Sequence, residues 1–317
     1  MSEGNGAGVT VLDGGMGQEI LRRTASTPTP LWSADVMLRH PDAVVEAHRA
    51  YIDAGAEVIT MNAYSATRCR LDHRGRGDDY EPLQRLAVDL AHQARTEARA
   101  DDTVRIAGCL SPYGWSYQPG LTPSFDELVP LYAETVALQA GGVDLFIAET
   151  MASADEGAAA AVAASRSGLP VWIAWTLADD DSGRLRSGET ITEAAAAIRR
   201  RGVEVDALLV NCSLPESIDL AMPELRRVGD DAGAAIGAYA NGFVGIDPAF
   251  TGGATVDVLG RRSDLDPDGY LRWIDGWVTA GASIVGGCCE IGPAHIRAIA
   301  DRYGRTPRPR RSKPGLL

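Results

Sequence analysis

Three cysteines carry the strongest chemical signal in this sequence. Cys288 and Cys289 are adjacent and close the run Ser283-Ile284-Val285-Gly286-Gly287, while Cys212 follows Ala207-Leu208-Leu209-Val210 and Asn211. If both runs are strands of one sheet, three thiols meet at one edge. Three thiolates suit Zn2+ in tetrahedral geometry and leave the fourth position open to a substrate. Three buried apolar thiols, or a redox pair, are the alternative readings of the same residues. Successive residues of a strand point to opposite faces. For Cys288 and Cys289 to share one metal, the chain must therefore turn at once after the strand, which Gly286 and Gly287 permit. Three anionic ligands weaken a metal as a Lewis acid toward water. Such a site instead suits a substrate thiol, which loses its proton on binding and becomes a nucleophile.

Bringing the thiols together requires a scaffold, and the sequence alternates strand-like and helix-like segments throughout. Apolar runs near residues 9–12, 57–61, 104–108, 144–148, 170–176, 207–210, 234–239 and 283–285 predict eight strands. Helical spacing between them predicts a helix after each. Near-continuous apolar strands are those of a parallel sheet covered on both faces. Eight such units favour a closed (β/α)8 TIM barrel over an open doubly wound sheet. Residues 18–40 read as a long loop, and Pro223 predicts a short or kinked helix over 217–228. Residues 9–303 form the single barrel domain in this reading, with disordered ends at 1–8 and 304–317, the latter basic.

In a barrel of this type, chemistry gathers at the carboxyl ends of the strands. Those positions hold Asp13, Asn62, Cys109, Glu149, Asn211, Cys212, Tyr239, Cys288 and Cys289, but none of the five histidines. A histidine base is therefore not expected. The only lysine, Lys313, lies in the tail, which removes Schiff-base chemistry. Asp13 and Glu149 suit a substrate ammonium, and the glycines after Asp13, Gly14 first, suit a carboxylate through their N–H groups. Asp13-Gly14-Gly15-Met16-Gly17 lacks the spacing of a dinucleotide loop. Asn62 and Asn211 are further candidates for substrate contact.

The formal net charge of −13 argues against nucleic acid as a partner. No run approaches the ~20 apolar residues of a membrane span, and the first residues lack an export signal. A cytoplasmic enzyme of small molecules is expected. Five cysteines, an odd count, fit metal or catalysis better than a disulfide framework.

At these residues the sequence resembles the homocysteine S-methyltransferase family. The matching pieces are Leu12-Asp13-Gly14-Gly15, Leu31-Trp32-Ser33-Ala34, Asn62-Ala63-Tyr64, Glu149-Thr150, Leu185-Arg186-Ser187-Gly188-Glu189, Asn211-Cys212-Ser213 and Gly286-Gly287-Cys288-Cys289. The resemblance implies a zinc barrel whose metal is held by Cys212, Cys288 and Cys289, with Asp13, Gly14 and Glu149 gripping the amino acid part of homocysteine. It implies methyl transfer from a small sulfonium or quaternary ammonium donor, giving methionine. Two segments at the barrel mouth depart from the family pattern, Gly108-Cys109-Leu110-Ser111-Pro112-Tyr113-Gly114 and Tyr239-Ala240-Asn241-Gly242-Phe243-Val244-Gly245. They leave open a different donor, or a different thiol or selenol acceptor. A zinc-holding barrel without catalysis is the remaining rival, though it has no need of Asp13 and Glu149.

Overall fold

The computed structural model describes residues 8–24, 29, 31, 33–246 and 259–304. The expected disordered ends, Pro28, Pro30 and Trp32 lie outside these residues, apart from residues 8 and 304.

Eight parallel strands form a near-closed barrel: β1 (Thr10–Val11), β2 (Val58–Thr60), β3 (Arg105–Leu110), β4 (Leu145–Met151), β5 (Val171–Trp175), β6 (Ala207–Asn211), β7 (Ala235–Tyr239) and β8 (Ile284–Val285). The hydrogen-bonded order is β1-β8-β7-β6-β5-β4-β3-β2. The ring closes where Leu12 bridges Val58, with the Asp13 N–H donating to the Val58 carbonyl at 3.1 Å and the Glu57 N–H to the Val11 carbonyl at 2.7 Å.

Strand periodicity decides what faces inward. Leu12, Val58, Ala107, Leu145, Ile147, Trp172, Ala174, Ala207, Leu209, Tyr239 and Ile284 pack together inside the barrel. Their neighbours Val11, Ile59, Ile106, Phe146, Ile173, Leu208 and Val285 pack outward under the helices. The side chains two residues beyond an inward position continue that direction. Glu149 follows Ile147 and so heads into the barrel at its carboxyl end, where it lines the cavity described below.

Eight helices cover the barrel, one after each strand: α3 (Pro41–Ala54), α5 (Tyr80–Glu97), α6 (Phe125–Gln139), α7 (Ala154–Ser165), α8 (Ile191–Arg200), α9 (Pro215–Ala232), α10 (Pro267–Thr279) and α11 (Pro293–Tyr303). Their starts are chemically marked. Thr190 and Glu193 satisfy each other's backbone N–H groups at the start of α8. Asp266 accepts from the Gly269 N–H at the start of α10.

Two readings of the sequence need correction. Residues 18–40 are not a long loop: α1 (Met16–Thr24) and α2 (Ser33–Arg39) lie within them. Glu19 pairs with Arg22 and Arg23 one turn on, and Ile20 buries fully, which gives the short α1 its support. A further short helix, α4 (Arg68–His73), precedes α5. Pro223 does not shorten α9, which runs 18 residues. The carbonyl of Asp219 that Pro223 leaves without its N–H partner belongs to an exposed residue, where water can serve it. On the other side Ile218, Ala221, Met222, Leu225 and Val228 bury a continuous apolar stripe.

Candidate metal and substrate site at the carboxyl ends of the strands

A cavity of about 140 Å³ opens at the carboxyl ends of the strands, lined by residues that include Asp13, Gly14, Gln18, Asn62, Arg70, Tyr117, Glu149, Tyr239 and the three cysteines. The Sγ atoms of Cys212, Cys288 and Cys289 all lie within 4.8 Å of one another. Among the described residues this is the one group of three or more metal-binding side chains with such geometry.

Cys212 is fixed by backbone. Its N–H donates to the Tyr239 carbonyl at 3.0 Å, and its own carbonyl accepts from the Thr176 hydroxyl at 3.1 Å. Cys288 donates its N–H to the Ala240 carbonyl at 2.9 Å, and Gly287 to the Asp13 carbonyl at 2.9 Å. Tyr270 on α10 ties the same two strand ends together: its hydroxyl donates to the Gly286 carbonyl at 2.8 Å and accepts from the Ala240 N–H at 3.0 Å. The turn required of Cys288-Cys289 is present. A Cβ on Gly287 would stand 2.2 Å from a side-chain carbon of Ile291, so only glycine allows the approach. Glu290 then reverses the chain with φ 65°.

Among the described residues, five other than glycine have positive φ: Arg99, Tyr117, Thr150, Cys212 and Glu290. Tyr117 and Cys212 line the cavity, and Thr150 and Glu290 directly follow the lining residues Glu149 and Cys289. Such conformations cost about 1–3 kcal/mol each and persist where surroundings impose them. Here the imposing contact at Thr150 is Asn211. Its amide oxygen accepts from the Thr150 N–H at 2.8 Å and its NH2 donates to the Thr150 hydroxyl at 3.0 Å. The structure thus turns Asn211 toward Thr150, away from the cavity lining, where it holds the backbone that carries Glu149. Asn62 does line the cavity, its amide donating to the Ser33 carbonyl at 3.3 Å. Gly14 lines it too, but a Cβ there would lie 2.2 Å from the Ile291 carbonyl, so close approach of two backbones is its first requirement. The N–H of Gly15 is already committed to that carbonyl at 2.9 Å.

Cys288 Sγ lies 2.6 Å from Cys212 Sγ, and Cys289 Sγ lies 3.9 Å from it. Tetrahedral Zn–S bonds of about 2.3 Å place sulfurs ~3.8 Å apart. One pair already fits and the other opens by about an ångström to accept the ion. The all-sulfur donor set is that of zinc or another soft cation. Burial opposes ionisation of Cys212, yet hydrogen bonds from Cys288 and Cys289, with Tyr117 beside it, hold it well below the usual thiol range. Those contacts with Cys212 push Cys288 and Cys289 up.

Burial raises the Asp13 carboxyl well above its ordinary range, against a hydrogen bond from the Thr60 N–H at 2.8 Å, and Glu149 adds repulsion. Glu149 is pushed up to about 7, mainly by burial, against a hydrogen bond donated by the Cys109 thiol at 3.2 Å. Neither acid has an ion-pair partner among the described residues. Two desolvated carboxyls facing one cavity are the side chains that could receive a cation there.

Sequence reasoning passed over Tyr117, whose hydroxyl is 3.0 Å from Cys212 Sγ, because it sits in a loop without periodic signal. It also passed over Gln18, hidden in the supposed loop. Gln18 is buried at the cavity beside Cys289, and the Tyr239 hydroxyl, also buried there, has no hydrogen-bond partner among the described residues. Cys109 was read as an ordinary buried thiol; it is buried, and it touches Glu149. The five histidines stand on helices or at a helix start, and none lines the cavity.

A barrel with a three-cysteine group at its mouth defines a known class of methyltransferases. The sequence profile of the homocysteine S-methyltransferase family matches residues 10–303, and the chain belongs to that family. It is 29% identical to homocysteine S-methyltransferase 4 of Zea mays, over 92% of this chain and 89% of that protein. It is 28% identical to the selenocysteine methyltransferase of Astragalus bisulcatus, over 91% and 90%. Its fold matches the metallated form of the homocysteine methyltransferase MmuM from Escherichia coli with a TM-score of 0.76 and 26% identity, over 93% of this chain and 96% of that one.

Proposed function

We propose that this chain is a zinc-dependent methyltransferase that moves a methyl group from a small sulfonium or quaternary ammonium donor to the thiol of homocysteine, giving methionine. The observation that carries this reading is the sharing of one cavity by three converged thiols and two carboxyls that have no ion-pair partner among the described residues. Cys212, Cys288 and Cys289 would hold the ion. When bound, zinc supplies the positive charge that lets an acceptor thiol ionise near neutral pH. Asp13 and Glu149 hold the acceptor's ammonium and so orient its sulfur toward the thiol group. Asn211 keeps Thr150, and through it Glu149, in place. Tyr117 shields Cys212 from water on the side of the mouth.

The acceptor could instead be a selenol. The likeness to a selenocysteine methyltransferase favours testing it, and a selenol of the same amino acid type would use the same ammonium receptor. The deciding experiment is a methyl-transfer assay on zinc-loaded protein. S-methylmethionine, S-adenosylmethionine and betaine are offered as donors, against homocysteine and selenocysteine as acceptors. Turnover with homocysteine and at least one donor is expected. A higher kcat/KM for selenocysteine would replace the acceptor, and no turnover with any pair would remove the function.

A further inference from the structure

Among the described residues, Arg70 is the only basic one that lines the cavity. It is 8% exposed, and no carboxylate oxygen of a described residue lies within 4.0 Å of it. A guanidinium stays charged at any physiological pH, and a buried charge calls for a counter-charge. Two of its three nitrogens are engaged. Nε donates to the Gly114 carbonyl at 2.9 Å and Nη2 to the Ser116 hydroxyl at 3.1 Å, which holds the loop after β3. Nη1 makes no hydrogen bond to a described residue. The rings of Tyr64 and Trp115 flank the guanidinium, at 5.4 and 5.8 Å from its carbon, and restrict its plane. Glu156, on the first turn of α7, feels this charge from beyond ion-pair distance, and its Oε2 accepts from the Ala152 N–H. The cavity therefore has one wall that carries two acids, Asp13 and Glu149, and in another wall a positively charged group without an anion among the described residues.

We infer that Arg70 is an anion subsite that takes the carboxylate of a substrate, paired through the donor positions its loop contacts leave free. The inference rests on the proposed function, whose donors and acceptor all carry a carboxylate, and the small cavity suits molecules of that size. The carboxylate can belong to the methyl donor or to the acceptor. Either way the side chain would set specificity for an acid over its neutral relative.

The test is calorimetric titration of zinc-loaded protein with two matched pairs: S-methylmethionine and its primary amide, and homocysteine and its primary amide. In wild type one acid should bind about tenfold or more tightly than its amide, the scale of a charge-assisted hydrogen-bonded pair. Arg70→Met should bring that ratio close to one with little change in binding of the amide. Arg70→Lys, which keeps the charge without the fork, should retain part of it. The pair that responds identifies the source of the carboxylate. A wild-type ratio that survives in Arg70→Met overturns the subsite. So does the absence of any acid preference in wild type, or an equal weakening of acid and amide, the mark of a loosened loop alone. Methyl transfer measured on the same wild-type preparation reports separately. Its absence removes the proposed function while the binding ratios still decide Arg70, and failure of all four compounds to bind removes both.

Discussion

Glu149 and Asn211 illustrate how far single side chains divide the work. Glu149, pushed up to about 7, is largely protonated below neutrality and gains its charge above it. An ammonium ligand should therefore bind more tightly as pH rises from 6 to 8. The clean measurement uses 2-aminobutyrate, which has no thiol to titrate, on metal-free protein. Glu149→Gln should flatten that pH dependence and weaken binding about tenfold or more, while zinc content after loading stays at the wild-type level; an unchanged profile would make Glu149 structural. Asn211 should behave differently. Asn211→Ala removes the acceptor of the buried Thr150 N–H and a donor to its hydroxyl, and should cost about 1–3 kcal/mol of stability by urea unfolding. Acceptor affinity should fall with it, because Thr150 is free to leave φ 63° and take Glu149 along. A variant as stable as wild type would contradict the bracing role.

At the scale of elements, α7 carries a second displaced acid. Glu156 is buried in its first turn and pushed up to about 7 from 4.5, chiefly by burial, against the N–H of Ala152. The folded protein then binds more protons than the unfolded chain between about 4.5 and 7. Glu156 thus subtracts stability as pH rises through that window. Glu156→Gln keeps an acceptor for Ala152 without the charge. It should gain on wild type from pH 5 to pH 8 by on the order of 1–3 kcal/mol, read as the difference between urea midpoints; a gap that shrinks toward pH 8 would refute the cause. The same scale shows what was legible beforehand. The strands were readable because a parallel strand buried on both faces leaves an unbroken apolar run, as in Ala207-Leu208-Leu209-Val210. The cysteines were readable because each follows such a run. α1 and α2 were not, since α1 begins among glycines and depends on Glu19–arginine pairs that periodicity does not register. Nor was the direction of Asn211: strand parity places it inward, while its partner Thr150 comes from 61 residues away in the chain. Arg70 gave no signal for the same reason, because what marks it is that no acid of the described residues pairs with it in space.

For the molecule as a whole, the thiol group joins the ends of β6 and β8 across β7 and so spans three neighbouring strands. A cation bound there holds the folded state and not the unfolded one. Free zinc at a hundredfold over its dissociation constant should add about 2.7 kcal/mol. Chelation should accordingly lower the melting temperature of wild type, and Cys288→Ala should show no such shift and retain far less than one zinc per chain. A variant that keeps a full zinc complement would refute the ligand assignment. One strand beyond β8 lies the closure of the barrel, where β1 has two residues and meets β2 through the Leu12–Val58 bridge. The Asp13 carboxylate crosses the same junction to the Thr60 N–H. The acid proposed to receive an ammonium is thus also a clasp between the first and second strands. Occupying it should slow hydrogen exchange at the Thr60 amide, so that the arrival of an amino acid is registered as a tightening of the barrel's own seam.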